Sequence, residues 1–177
     1  MQDSERAHSR ILAVLSKMSR TRFSLSMLGA LYRSPDLPVN VFDIDFPNPI
    51  GVAAGMDKNG AAVPSLQSIG YGFCEIGGVT LHEQPGNPKP RMFRINKEKA
   101  LINRMGFNNI GANALQEQLQ FWKDKGLWPD SPVGINLGKS KVTPLEKAPS
   151  DYSGSINILW NHADFFVINV SSPNTPG

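Results

Sequence analysis

The sequence has little of what disulfide frameworks, metal clusters and membrane-spanning helices require. One cysteine among 177 residues excludes a disulfide framework and a zinc site built from several cysteines. No run approaches about 18 apolar residues, so no membrane-spanning helix is predicted. The three histidines lie far apart, without the spacing of metal ligands, and we predict no metal site.

Two nucleotide-binding motifs are also absent. No GxGxxG follows the first predicted strand, which argues against a Rossmann dinucleotide site, and the GxxxxGK[ST] pattern does not occur. What is present is one domain's length of chain with 40% apolar and 19% charged residues, a composition that argues against intrinsic disorder. Because the chain contains 16 glycines and 14 prolines, we expect many ordered loops.

Positive charge is concentrated at the N-terminus. Residues 1–34 contain six basic and two acidic residues, a net charge of +4, whereas the whole chain carries +3. Apolar residues at helical spacing predict one helix over 5–18 and a second that ends before Pro35. Apolar faces with a basic rim favour a membrane interface, although such faces equally suit packing on the domain. The basic residues lack interleaved stacking aromatics, and we expect no nucleic-acid partner.

Short apolar runs alternate with helical stretches along the rest of the chain. A proline-rich linker over 35–49 contains a predicted strand pair. Four apolar strands are then predicted at 50–54, 73–76, 133–137 and 165–170, with helices at 60–69, 111–125 and 151–161. This alternation is typical of parallel βα units covered on both faces. The segment from 78 to 132 is longer than an ordinary connection, which indicates a functional insertion.

Polar residues follow the predicted strands, at the ends where barrels and open parallel sheets both place their active sites. Asn136 and Asn169 stand at the ends of successive apolar strands, where an amide needs a partner. Capping or turn roles are the alternative, but an amide both donates and accepts, which matches a flavin edge or a pyrimidine. Lys58 is either a surface lysine or a charge for an anionic ligand, and Cys74 is interpreted as a packing residue.

Five motifs, in order along the chain, resemble those of the dihydroorotate dehydrogenase family. They are residues 53–58 (AAGMDK), 85–91 (PGNPKPR), 103–109 (NRMGFNN), 134–139 (GINLGK) and 169–177 (NVSSPNTPG). Residues 5–8 (ERAH) also resemble the N-terminal extension of the membrane-associated, quinone-dependent class 2 enzymes. The resemblance implies an α/β fold, a TIM (β/α)8 barrel carrying FMN, and oxidation of dihydroorotate to orotate in pyrimidine biosynthesis.

The resemblance also implies roles for individual residues. The residues expected to contact FMN are Ala54, Gly55, Met56, Asp57, Lys58, Gly78, Asn136 and Asn169. The residues expected to contact the substrate are Lys58, Asn103, Arg104, Met105, Gly106, Phe107, Asn169 and Asn174. Ser172 is the expected catalytic base, which takes the C5 proton while hydride passes from C6 to FMN. His8 and Arg94 match positions that line the quinone tunnel.

The chain departs from the family pattern in two ways. Gly78 stands where the family usually has threonine or serine, which leaves only a backbone contact with FMN. Only four strands are predicted, whereas a TIM barrel takes about 250 residues. We therefore expect residues 1–34 to form a membrane-associating helical segment and residues 35–177 the first half of a barrel, which alone binds FMN poorly and does not turn over.

Two other interpretations stay open. One is a different flavin TIM barrel, such as a class 1 enzyme that uses fumarate or NAD, although Ser172 and the basic N-terminal segment favour class 2. The other is a non-catalytic half-barrel that binds a partner or dimerises, since the sequence leaves the oligomeric state open. For the class 2 enzyme, we expect peripheral association with the cytoplasmic face of a bacterial inner membrane, or alternatively with a mitochondrial inner membrane.

Overall fold

Two helices and a small hairpin precede the main sheet. The computed structural model describes residues 3–32 and 35–170. Helix α1 (Ser4–Met18) begins after Asp3, whose carboxylate accepts a hydrogen bond from the Arg6 N–H at 2.9 Å and so caps the helix. Helix α2 spans Arg22–Leu31, so both predicted N-terminal helices are confirmed.

The predicted strand pair in the proline-rich linker is also confirmed. Strands β1 (Val39–Val41) and β2 (Ile44–Phe46) pair antiparallel across a two-residue turn. Phe42 and Asp43 in that turn both have positive φ, which is the geometry of a tight hairpin turn.

Apart from one hairpin in the long insertion, the remaining elements alternate between strands and helices, as the apolar runs predict. They are β3 (Gly51–Val52), α3 (Val63–Ser68), β4 (Phe73–Val79), β5 (Met92–Ile95), β6 (Ala100–Asn103), α4 (Gly111–Asp124), β7 (Val133–Gly138), α5 (Ala148–Leu159) and β8 (Phe165–Asn169). Short 3-10 turns flank α5 on both sides. Strands β3, β4, β7 and β8 form one sheet in that order, and every neighbouring pair is parallel.

The core lies between this sheet and the helices that cover it. Ile76, Ile135 and Leu137 on the strands are fully buried, as are Leu115 and Leu119 on α4. Cys74 is a buried member of the same core, and burial raises the pKa of its thiol to about 12. The interpretation of Cys74 as a packing residue is therefore confirmed.

Aromatic side chains close the end of the sheet where the strands begin. Phe73 and Phe165 are the first residues of β4 and β8, and their rings lie 6.2 Å apart, with Phe46 of the hairpin beside both. A Cβ atom on Gly51 or Gly134 would lie 2.2 Å from one of these rings, so only glycine leaves room for them. Because this end is filled by aromatic rings, a ligand site is expected at the opposite end of the sheet, where the strands finish.

One pair of strands was not predicted from the pattern of apolar residues. Strands β5 and β6 form an antiparallel hairpin within the long insertion between β4 and α4. Its side chains are largely exposed on both faces, so it shows none of the alternation that marks a half-buried strand. Among the described residues, no helix combines the length and the apolar character needed to cross a bilayer.

Candidate functional site

A cavity of about 750 Å³ lies between the carboxyl ends of the parallel strands and helix α1. Parallel strands all finish at the same edge of a sheet, so residues far apart in sequence meet there. The cavity is lined by most of the residues that the sequence motifs single out, namely His8, Ala54, Gly55, Lys58, Gly78, Asn103, Met105, Gly106, Phe107, Asn136 and Asn169. Residues at or beyond the carboxyl ends of five strands, β3, β4, β6, β7 and β8, therefore share one site.

Two asparagines at the ends of β7 and β8 form a hydrogen-bonded pair. Asn169 Nδ2 donates to Asn136 Oδ1 at 3.1 Å, and Asn136 Nδ2 donates to Glu75 Oε1 at 2.6 Å. The Glu75 carboxylate can only accept, which fixes the direction in which the Asn136 amide points. An amide has two donors and two acceptor lone pairs, so Asn136 keeps hydrogen-bonding capacity beyond these two contacts.

Lys58 brings a positive charge to the cavity. Lys58 lies in the turn after β3, and its Nζ donates a hydrogen bond to Asn108 Oδ1 at 2.7 Å. The pKa of Lys58 is lowered to about 8, chiefly by burial and in part by the Arg91 charge, while the Glu5 charge opposes the shift. A cation partly removed from water favours an anionic ligand, because a bound anion offsets the cost of burying the charge.

Two glycines, Gly55 and Gly78, line the cavity. Gly55 has φ +107°, and no heavy atom lies within 4 Å of the position where its Cβ would be. A Cβ on Gly78 would lie 2.8 Å from the Phe107 ring. That ring occupies the space of the threonine or serine side chain expected at position 78, which gives a physical reason for glycine there.

Asp57 supports the site without facing the cavity. Its carboxylate is 2% exposed and accepts hydrogen bonds from the N–H groups of Ala61 and Ala62, at 2.9 and 2.7 Å. Burial raises the pKa of Asp57, while these hydrogen bonds lower it. Asp57 therefore holds the turn that presents Lys58.

Helix α1 forms the wall opposite the strand ends. His8 Nε2 donates to the main-chain oxygen of Met56 at 2.7 Å, which joins α1 to the turn after β3. Glu5, one turn earlier, forms an ion pair with the nearly buried Arg91 at 2.8 Å. The Arg91 guanidinium lowers the pKa of Glu5, so this carboxyl stays ionised to lower pH than an ordinary glutamate.

Several predicted site residues do not line the cavity. Met56 contributes its main-chain oxygen to His8 and packs against the core, and Arg104 is exposed, with its guanidinium donating to the Pro90 oxygen at 3.1 Å. Arg94 is exposed on the β5–β6 hairpin, so its tunnel role stays a prediction. Ser172 and Asn174 lie outside the described residues.

Sequence reasoning missed other residues that line the cavity or orient its side chains. Those on the inner face of α1 are Glu5, Ser9, Leu12, Ala13 and Ser16, and those on the loops are Asn59, Ala61 and Asn108 together with Met92 on β5. The small residues at 9, 13 and 16 recur at helical spacing, a signal of a close approach that the search for apolar faces passed over. Glu75 carries no sequence signal, because its role depends on the neighbouring strand.

The described part of the chain offers no obvious metal centre. Within residues 3–32 and 35–170, no group of three or more histidine, cysteine, aspartate or glutamate side chains is arranged to hold a metal ion. Besides amides and backbone groups, the charged or titratable side chains that line the cavity are Glu5, His8 and Lys58.

Comparison with known proteins places these features in one family. Residues 36–177 match the family model described as dihydroorotate dehydrogenase. A protein named dihydroorotate dehydrogenase (quinone) from Chloroflexus aurantiacus is 50% identical over 99% of this chain and 48% of its own length. A protein of the same name from Gloeobacter violaceus is 49% identical over 99% of this chain and 48% of its own length.

Solved structures agree with the sequence relatives. A crystal structure of DHODH from Eimeria tenella in complex with ferulenol has a TM-score of 0.84 and 37% identity, covering 100% of this chain and 46% of that one. The chain spans about half the length of the curated relatives that it matches. Since the family model covers most of the chain and its motifs meet in one cavity, the chain belongs to the dihydroorotate dehydrogenase family.

Proposed function

We propose that this chain carries the cofactor and substrate residues of a quinone-dependent enzyme that oxidises dihydroorotate to orotate in pyrimidine biosynthesis. The observation that carries the proposal is that residues from four of the motifs line one cavity beside α1. The relatives from Chloroflexus aurantiacus and Gloeobacter violaceus are both named dihydroorotate dehydrogenase (quinone), which supports the same activity. We further propose that the four parallel strands are βα units of a TIM barrel, with residues 1–34 as a separate N-terminal segment.

The residues of the cavity fit a flavin, and we propose FMN. The open backbone at Gly55 leaves room for a ring system, since no heavy atom lies within 4 Å of its Cβ position. Ala54 and Gly55 would contact the ring, and the Asn136–Asn169 pair would offer amide donors and acceptors to its polar edge. Bound FMN would supply a two-electron hydride acceptor.

The substrate would lie beside Lys58 and the segment that follows β6. The Lys58 ammonium would pair with the carboxylate of dihydroorotate, and Asn103 would offer a carboxamide to the ring. Phe107 would cover the site and exclude water. Ser172 and Asn174, which the family motif assigns to proton removal and substrate contact, complete the proposed substrate site.

We propose that the quinone approaches along α1 and that α1 and α2 rest on a membrane surface. Both helices expose apolar side chains, namely Ile11, Val14, Phe23, Met27 and Leu31. Basic residues from the same segment would lie near anionic headgroups. The corresponding location is the cytoplasmic face of a bacterial inner membrane, with a mitochondrial inner membrane as the alternative.

Binding of FMN tests whether the cavity is the cofactor site. Ala54 lines the cavity, whereas its neighbour Ala53 is exposed and does not. Because a leucine at 54 would fill the cofactor space, Ala54→Leu should weaken FMN binding roughly tenfold, measured by quenching of FMN fluorescence. Ala53→Leu is the matched control and should bind like the unmodified chain. Equal affinity of both variants for FMN would contradict the proposed site.

A further inference from the structure

Arg91, the last residue of the PGNPKPR motif, connects the start of α1 to the loop that precedes β5. Its side chain is 7% exposed. Nε and Nη2 donate to the Glu5 carboxylate, at 3.2 and 2.8 Å. Nη1 donates to the main-chain oxygens of Pro85 and Asn87, at 2.6 and 3.0 Å. One buried guanidinium therefore satisfies a carboxylate on the helix and two carbonyl groups of the loop.

The same loop holds the segment that follows β6, residues 103–108. The Asn87 N–H donates to the Met105 oxygen at 2.9 Å, and Asn87 Nδ2 donates to the Arg104 oxygen at 2.8 Å. The Arg104 N–H donates in turn to the Arg91 oxygen at 2.9 Å. The path from α1 to this segment thus runs through Arg91 and a few short hydrogen bonds.

Both ends of this path are walls of the cavity. Helix α1 contributes Glu5 and His8 to one wall, and Met105 and Phe107 form part of the other. We propose that Arg91 is a positioning residue that holds these two walls in a fixed relation, so that loss of its contact with Glu5 releases both walls together. Under the proposed function, the quinone side and the dihydroorotate side of the site would then share one support.

The chemistry of arginine suits this role better than that of lysine. A planar guanidinium donates in several fixed directions at once, whereas an ammonium on a flexible stem acts as a point charge. Lys89 also contacts Glu5, at 3.2 Å, but its side chain is 69% exposed. Water competes for that contact, and Lys89 therefore contributes little to the path.

Hydrogen exchange measured by mass spectrometry on the chain tests the proposal without any turnover. Glu5→Gln keeps the shape of the side chain but removes the charge that faces Arg91. We expect exchange to accelerate roughly tenfold or more in α1 and also in residues 103–108, the scale of losing a charge-assisted hydrogen bond. Among the described residues, the side chains of Glu5 and Arg91 form no hydrogen bond or ion pair with α4, and this helix should keep its exchange rate.

A conservative variant and a matched control sharpen the test. Arg91→Lys keeps the charge opposite Glu5 but not the carbonyl bonds, so exchange should rise at 103–108 while α1 stays close to the unmodified chain. Lys89→Met removes only the exposed partner of Glu5 and should change neither wall.

Two results would overturn the proposal. If Glu5→Gln accelerates exchange in α1 alone, the two walls are independent. If exchange rises equally in α4, the variant has lowered global stability and Arg91 has no specific positioning role. Because FMN and orotate are absent from this experiment, its outcome is separate from the success or failure of the proposed function.

Discussion

Asn136 and Asn169 show what single residues in this sequence reveal. An amide at the end of an apolar strand needs a partner, and the structure brings the two side chains into hydrogen-bond contact at the predicted edge of the sheet. Asp57 shows the limit of the same reasoning. The resemblance implies that Asp57 contacts FMN, but its carboxylate turns inward to backbone groups, and only the folded turn reveals this.

The buried carboxylate of Asp57 should contribute to the stability of the folded chain. An asparagine at this position would direct an NH2 group at a buried backbone N–H in place of one carboxylate oxygen. We expect Asp57→Asn to lower the free energy of unfolding by about 1–3 kcal/mol, measured by urea unfolding. Asp130→Asn, at an exposed position, is the control and should have little effect. Equal stability of the two variants would show that the buried carboxylate is not needed.

The charge of Lys58 should govern the binding of orotate. Burial lowers the pKa of Lys58 to about 8, so its amine is protonated below pH 8 and loses its proton as the pH rises through this value. A bound carboxylate favours the protonated form, and the affinity for orotate should therefore be constant below pH 8 and fall roughly tenfold per pH unit above it.

Isothermal titration with orotate on either side of pH 8 measures this profile. Lys58→Met should bind orotate weakly, with no change through pH 8. Lys141→Met, which removes an exposed lysine, should keep the profile of the unmodified chain. An affinity that does not change across pH 8 in the unmodified chain would contradict the assigned role.

At the scale of elements, amphipathic periodicity predicts α1 and α2 but not what covers their faces. Leu12, Leu15 and Leu25 pack against the core, whereas other apolar residues of the same helices stay exposed. The packing interpretation therefore holds for some apolar residues of these helices, and the membrane interface stays a prediction for the exposed ones. Strands β5 and β6 could not be predicted, because a hairpin exposed on both faces lacks the alternation of apolar and polar residues that marks a half-buried strand.

Phe23 tests the proposed membrane surface of α2. Its side chain is 81% exposed, and that of Phe42, which belongs to the β1–β2 turn and not to α2, is 93% exposed. If α2 inserts into the interface, Phe23→Ser should weaken binding to anionic phospholipid vesicles roughly tenfold in a sedimentation assay. Phe42→Ser should bind like the unmodified chain. Equal effects of the two substitutions would contradict a specific membrane face.

At the scale of the molecule, the alternation of apolar strands and helices predicts the parallel sheet, and the structure confirms its strands and their direction. The cavity could not be predicted in full, because its outer wall forms only when α1 packs across the strand ends. That packing depends on contacts such as His8 with Met56 and Glu5 with Arg91, which join residues 48 and 86 positions apart in the chain. Local patterns carry no information about such pairs.

The visible absorption spectrum of the chain mixed with FMN and titrated with orotate tests the central claim most directly. If the cavity holds FMN beside the substrate residues, the flavin band shifts in a saturable manner as orotate binds next to the ring. Lys58→Met should reduce that shift strongly. A spectrum that stays identical to that of free FMN at every orotate concentration, even with the chain in large excess over FMN so that weak binding is detected, would contradict the proposed site.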